Sequence, residues 1–76
     1  MATYRFYTKA GCGLCEEMLE EVLALGVPES ELEFVDIEQR PELAALYGVK
    51  IPVIERGGVE LAAGRLNDQS RAALRQ

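Results

Sequence analysis

TYRFYTKAGCGLCEEMLEEVLAL, residues 3–25, contains the change of hydrophobic period that decides the fold. Thr3 to Thr8 alternates aromatic and polar side chains, the period of two expected of a strand. Gly11 and Gly13 interrupt it. From Leu14 to Leu25 the apolar residues Leu14, Met18, Leu19, Val22, Leu23 and Leu25 follow helical spacing, with Glu16, Glu17, Glu20 and Glu21 on the other face. Gly26 and Pro28 end the helix.

Downstream, Leu32 to Ile37 (LEFVDI) reads as a second strand, apolar enough to be buried on both faces. A short helix follows, with Pro41 in its first turn, Gly48 as its stop, and Leu43, Leu46 and Tyr47 facing inward. Ile51 to Arg56 (IPVIER) and Val59 to Ala62 flank Gly57-Gly58, a strong hairpin signal. Asn67 or Asp68 caps a last helix carrying Ala72, Ala73 and Leu74. The order βαβαββα demands a parallel first pair with a right-handed crossover, and the hairpin adds antiparallel strands. The expectation is an α/β protein with a mixed four-stranded sheet, three helices on its two faces, and one domain over residues 1–76.

Composition bounds what such a chain can do. Ordering each residue costs roughly 1.5 kcal/mol, which apolar burial only just offsets in a 76-residue domain. Nearly every apolar residue is therefore expected in the core. Eight Lys and Arg against 13 Asp and Glu give a net charge of -5. The cations Arg5, Lys9, Arg40, Lys50, Arg56, Arg65, Arg71 and Arg75 are spread singly, which argues against nucleic acid and against an anionic membrane as partner. No stretch approaches the roughly 20 apolar residues of a membrane span. Met1 to Tyr7 lacks the apolar run of a signal peptide, so the expected location is the cytoplasm. With no His, imidazole acid-base catalysis and His-ligated metal sites are removed together.

Cys12 and Cys15 fall where the first strand hands over to the first helix. Residues three apart at a helix start share one face, with a rise of roughly 4.5 Å, inside the reach of a disulfide. The free N-H groups and partial positive charge of the helix end favour a thiolate on Cys12, the candidate nucleophile. Cys15, one turn further in, is the candidate resolving thiol. A purely stapling disulfide is the plainer alternative, but so small a loop contributes only about 2 kcal/mol. Stapled domains are also mostly secreted. Zinc is another alternative, although two thiolates are half a structural set and the rest would come from carboxylates or a second subunit.

The run Tyr7-Thr8-Lys9-Ala10-Gly11-Cys12-Gly13-Leu14-Cys15, the strand ending Val35-Asp36-Ile37, and Ile51-Pro52-Val53 resemble the glutaredoxin-like branch of the thioredoxin superfamily. With Pro41-Glu42-Leu43 and Tyr47-Gly48-Val49, the chain looks like the small bacterial glutaredoxin-like proteins with a Cys-Gly-Leu-Cys motif. The resemblance covers nearly the whole chain. It implies a thioredoxin-like fold, a cis peptide before Pro52 beside the dithiol, and substrate pairing with the backbone of Ile51. It implies glutathione contacts for Lys9, and for Gly64 with Asn67 or Asp68, although Ala63 replaces one glycine of the family turn. Gly13 and Leu14, standing where many dithiol glutaredoxins have proline and an aromatic residue, complete the expected substrate surface.

The function so implied is a monomeric thiol-disulfide oxidoreductase reducing protein disulfides or glutathione mixed disulfides. Glutathione would be a co-substrate, a reductase a further partner, and no metal or other cofactor is expected. A second class is a [2Fe-2S] protein, its cluster held between two subunits with glutathione supplying further thiolates, which Gly13 permits. A third is a redox-inert interaction module. For the leading class, the helix end is worth up to about 1 to 2 kcal/mol of thiolate stabilisation, and Glu16 and Glu17 oppose it with a comparable charge effect. The net expectation is moderate activation, with the Cys12 thiol below the free value of about 8.5. A pH series of iodoacetamide alkylation on Cys15→Ser protein reads this directly, and a midpoint at or above the free-cysteine value refutes it.

Overall fold

The computed structural model describes residues 2–76; Met1, the first residue of the segment read against a signal peptide, lies outside them. Its elements are β1 (Tyr4–Thr8), α1 (Gly13–Ala24), β2 (Leu32–Asp36), α2 (Pro41–Tyr47), β3 (Val53–Arg56), β4 (Val59–Ala63) and α3 (Asp68–Leu74). Single 3-10 turns at Glu29–Glu31 and Ile37–Gln39 lead into and out of β2. The four strands form one mixed sheet in the order β2-β1-β3-β4. β1 runs parallel to β2 and antiparallel to β3, and β3 runs antiparallel to β4.

Alternation along β1 assigns the two layers. Phe6 lines a cavity together with Cys15 and Leu19 of α1, while the next residue, Tyr7, stacks on Tyr47 of α2 with ring centroids 4.1 Å apart. Successive strand side chains point to opposite faces, so α1 and α2 cover opposite sides of the sheet. α3 lies beside α1, joined to it by an ion pair from Arg71 Nε to Glu21 Oε2 at 3.0 Å. The core centres on Phe6, Met18, Val22, Ile37, Ile54 and Leu74. Gly57 and Gly58 form the β3–β4 turn with φ of 59° and 82°, the pair of left-handed conformations that a two-residue hairpin turn requires.

Several expectations are corrected. β2 is an outer strand rather than a strand buried on both faces: Leu32 is buried, but Phe34 is 44% exposed. Leu46 faces water, because a seven-residue helix offers one stripe and Leu43 and Tyr47, four apart, occupy it. Nor is nearly every apolar residue in the core, since Leu14, Leu23, Val49 and Val59 are also exposed. The hairpin strand starts at Val53 rather than Ile51, as Pro52 has no N-H for the ladder.

Gly48 ends α2 by a different device from the one its position suggests. Its φ is -52°, ordinary helical backbone, and its N-H donates to the Ala44 carbonyl at 2.9 Å. A Cβ there would meet the same carbonyl oxygen at 2.5 Å, so the position excludes any side chain. Gly48→Ala is expected to cost about 1 to 3 kcal/mol, the range for overpacking against an unyielding neighbour. A lowered urea midpoint at constant slope checks it.

Candidate functional site

The structure brings Cys12 and Cys15 together as a disulfide, with Cα atoms 5.2 Å apart. Cys12 is the N-cap of α1: its backbone is extended (φ -93°, ψ 102°), and its Sγ accepts a hydrogen bond from the Cys15 N-H at 3.1 Å. One of the otherwise unpaired donors of the first turn is thus aimed at sulfur. The two cysteines differ in environment. Cys15 is 3% exposed and packed with the core, whereas Cys12 is half-buried at the surface.

The register Tyr7 opposite Val53 sets Pro52 at the level of Thr8, where β1 gives way to the loop leading to Cys12. The Ile51–Pro52 peptide is cis and both residues are buried. Two bonds fix this turn: Ile51 N-H donates to the Tyr47 carbonyl at 3.0 Å, and Gly64 N-H donates to the Pro52 carbonyl at 2.7 Å. The Ile51 N-H is therefore engaged within the protein. Gly64 has φ 79° and is where the chain leaves β4.

The other residues singled out from the sequence divide into four groups. Lys9 lines the same cavity as both cysteines. Leu14 and Gly64 line a second cavity of about 220 Å3, bounded by Glu17, Leu66 and Arg71, between α1 and the approach to α3. Gly13, the first residue of α1, is exposed and has open space where a side chain would stand. Asn67 is committed to a helix cap, and Asp68 is exposed. Asn67 N-caps α3 in a reciprocal box, Ser70 N-H donating to its Oδ1 and its own N-H donating to Ser70 Oγ, both at 2.8 Å. Asp68 pairs with Arg71 at 3.4 Å.

A buried polar cluster on the α2 side of the sheet was not apparent in the sequence. The Tyr7 hydroxyl donates to Glu55 Oε1 at 2.9 Å, and Arg5 approaches the same oxygen at 4.0 Å. Only 12% of the Glu55 side chain is exposed. Its partner is 48 residues away in sequence, and the one local signal is an acid following Val53 and Ile54 within a strand. Burial, then the neighbouring Tyr47 and Glu55 side chains, push the Tyr7 phenol up to about 12.

A strand-helix junction carrying a cysteine pair, on a mixed β2-β1-β3-β4 sheet covered by three helices, defines a thioredoxin-like fold with the makings of a thiol redox centre. The chain belongs to the glutaredoxin-like domain family (DUF836), whose match spans residues 3–74. No curated protein matches it. Among the described residues no three Cys, His, Asp or Glu side chains converge. One chain offers two sulfurs where a [2Fe-2S] cluster takes four thiolates, so the donor set of a single chain does not fit that cluster. Among the described residues no helix is long and apolar enough to cross a membrane.

The raised Tyr7 phenol makes stability pH-dependent. Its folded value, about 12, lies above the unfolded value near 10, so its contribution is whole below pH 10 and is lost as pH rises towards 12. In Tyr7→Phe this alkaline loss disappears, and the Glu55 carboxylate loses a donor, costing about 1 to 3 kcal/mol at neutral pH. Urea unfolding at pH 7 and across pH 10 to 12 measures both; equal alkaline slopes in the two proteins exclude the assignment.

Proposed function

We propose that the protein is a cytoplasmic thiol-disulfide oxidoreductase acting as a monomer, with Cys12 as nucleophile and Cys15 as resolving thiol. The observation that carries this reading is the Cys12 sulfur at the N-cap of α1, accepting the Cys15 N-H and bonded to a buried Cys15. In the reduced protein, Cys12 thiolate attacks one sulfur of a substrate disulfide, forming a mixed disulfide and expelling the other sulfur as thiolate. Cys15, after losing its proton to solvent, attacks Cys12 Sγ. That step expels the second substrate thiolate and forms the Cys12–Cys15 disulfide, so two electrons pass to the substrate, which takes up two protons.

Residues around the sulfurs have distinct tasks in this reaction. The Cys15 N-H and the α1 terminus stabilise the attacking thiolate, as hydrogen bonding and dipole favour the charged form. The Ile51 carbonyl and the Pro52 turn orient an extended substrate; Gly13 and Leu14 lie against it. Lys9 adds a positive charge beside the reacting sulfurs. Asn67, whose Oδ1 is engaged in a helix cap, supports protein disulfides as substrate more than a full glutathione site. Glutathione, or a reductase, returns two electrons to the protein disulfide.

Purified protein equilibrated in graded glutathione redox buffers, quenched with acid, alkylated and weighed intact tests the reading. The internal disulfide, or a glutathione adduct on Cys12, is expected to titrate reversibly between roughly -200 and -320 mV. Cys15→Ser should stop at the Cys12 mixed disulfide, and Cys12→Ser should form neither product. Both thiols remaining free throughout would overturn it.

A further inference from the structure

A cavity of about 220 Å3 opens between α1 and the β1–β2 edge and ends on the cysteine pair. Phe6, Leu19 and Phe34 supply its apolar wall, with Cys12 and Cys15 at the same space. Pockets for whole small-molecule ligands start at about 300 Å3. This one suits a single side chain. Lys9 and Glu16 add one charge of each sign to its lining, so it discriminates by apolar burial rather than by charge.

Phe34 gives the cavity an incomplete wall. Its ring meets Phe6 edge-on at 5.9 Å, yet it remains 44% exposed on the outermost strand, while Tyr4, Phe6 and Tyr7 are all buried. β2 pairs only with β1, so its other edge presents unpaired backbone groups. A cavity of this volume is about 7 Å across, a distance that a strand covers in about two residues.

We infer that this cavity is a specificity subsite: it takes one large apolar side chain of an extended polypeptide disulfide, about two residues from the cysteine that Cys12 attacks. The inference rests on the oxidoreductase reading and adds the substrate class. Two symmetric peptide disulfides, identical except for Leu or Ser two positions from the cysteine, are mixed with reduced protein, acid-quenched and weighed. The Leu peptide is expected to react about tenfold faster, the low end of what burying a leucine contributes. In Phe34→Ser the preference should fall below about threefold, and in Phe34→Leu, which keeps an apolar wall and guards against a folding defect, it should persist.

Bis(2-hydroxyethyl) disulfide, which has no side chain to seat, separates the two readings in the unsubstituted protein. Reaction with it and with both peptides at equal peptide rates overturns the subsite alone. An undiminished Leu preference in folded Phe34→Ser does the same. No reaction with any of the three disulfides overturns the oxidoreductase reading, and the subsite with it.

Discussion

Pairing of β1 along both edges is the constraint on which the thiol end of the molecule depends. Tyr4–Thr8 is paired with β2 on one side and Tyr4–Tyr7 with β3 on the other, so the strand is held along both edges up to the residue before its end. Cys12 follows four residues after Thr8 and starts α1 from that fixed end. Pro52 stands at the level of Thr8 because Val53 is in register with Tyr7. One strand therefore holds both parts of the candidate site, while its alternating side chains commit Phe6 to the α1 layer and Tyr7 to the α2 layer.

Features set by neighbouring residues were legible in the sequence. The change of period at Gly11 and Gly13, the paired glycines of the hairpin and the Asn67 cap all act over a few residues, and each has its expected counterpart in the structure. The cysteine pair belongs with them, since three residues of helix suffice to bring the sulfurs together. What depends on strand order was not legible. The run LEFVDI has the composition of a buried strand, yet the hairpin joins the sheet on the other side of β1 and leaves β2 outermost. Phe34, in the middle of that run, is instead part of an open wall. The Tyr7–Glu55 pair was hidden for a related reason: it forms only once β3 lies against β1.

A small chain must choose where to leave apolar surface in water. Val22, Val53, Ile54 and Leu74 are fully enclosed, so the folded state does not lack a dense centre. The exposed Leu14 and Phe34 line cavities on either side of the start of α1. The apolar wall of Phe6, Leu19 and Phe34 beside the cysteines lowers the local dielectric, which strengthens a hydrogen bond to sulfur and penalises an unpaired charge in the same step.

That penalty falls unequally on two sulfurs only three residues apart. Cys15 is 3% exposed and packed with the core. Cys12, half-buried at the cap, has a donor N-H at 3.1 Å and the positive end of a twelve-residue helix. Glu16 and Glu17 oppose a charge on Cys12, but both are exposed, and in water a pair of unit charges 4 Å apart is worth only about 1 kcal/mol before salt screens it. A direct hydrogen bond in a partly dry site is not weakened in that way. On the oxidoreductase reading proposed above, this difference of environment is what makes Cys12 the attacking sulfur and leaves the enclosed Cys15 to resolve the mixed disulfide.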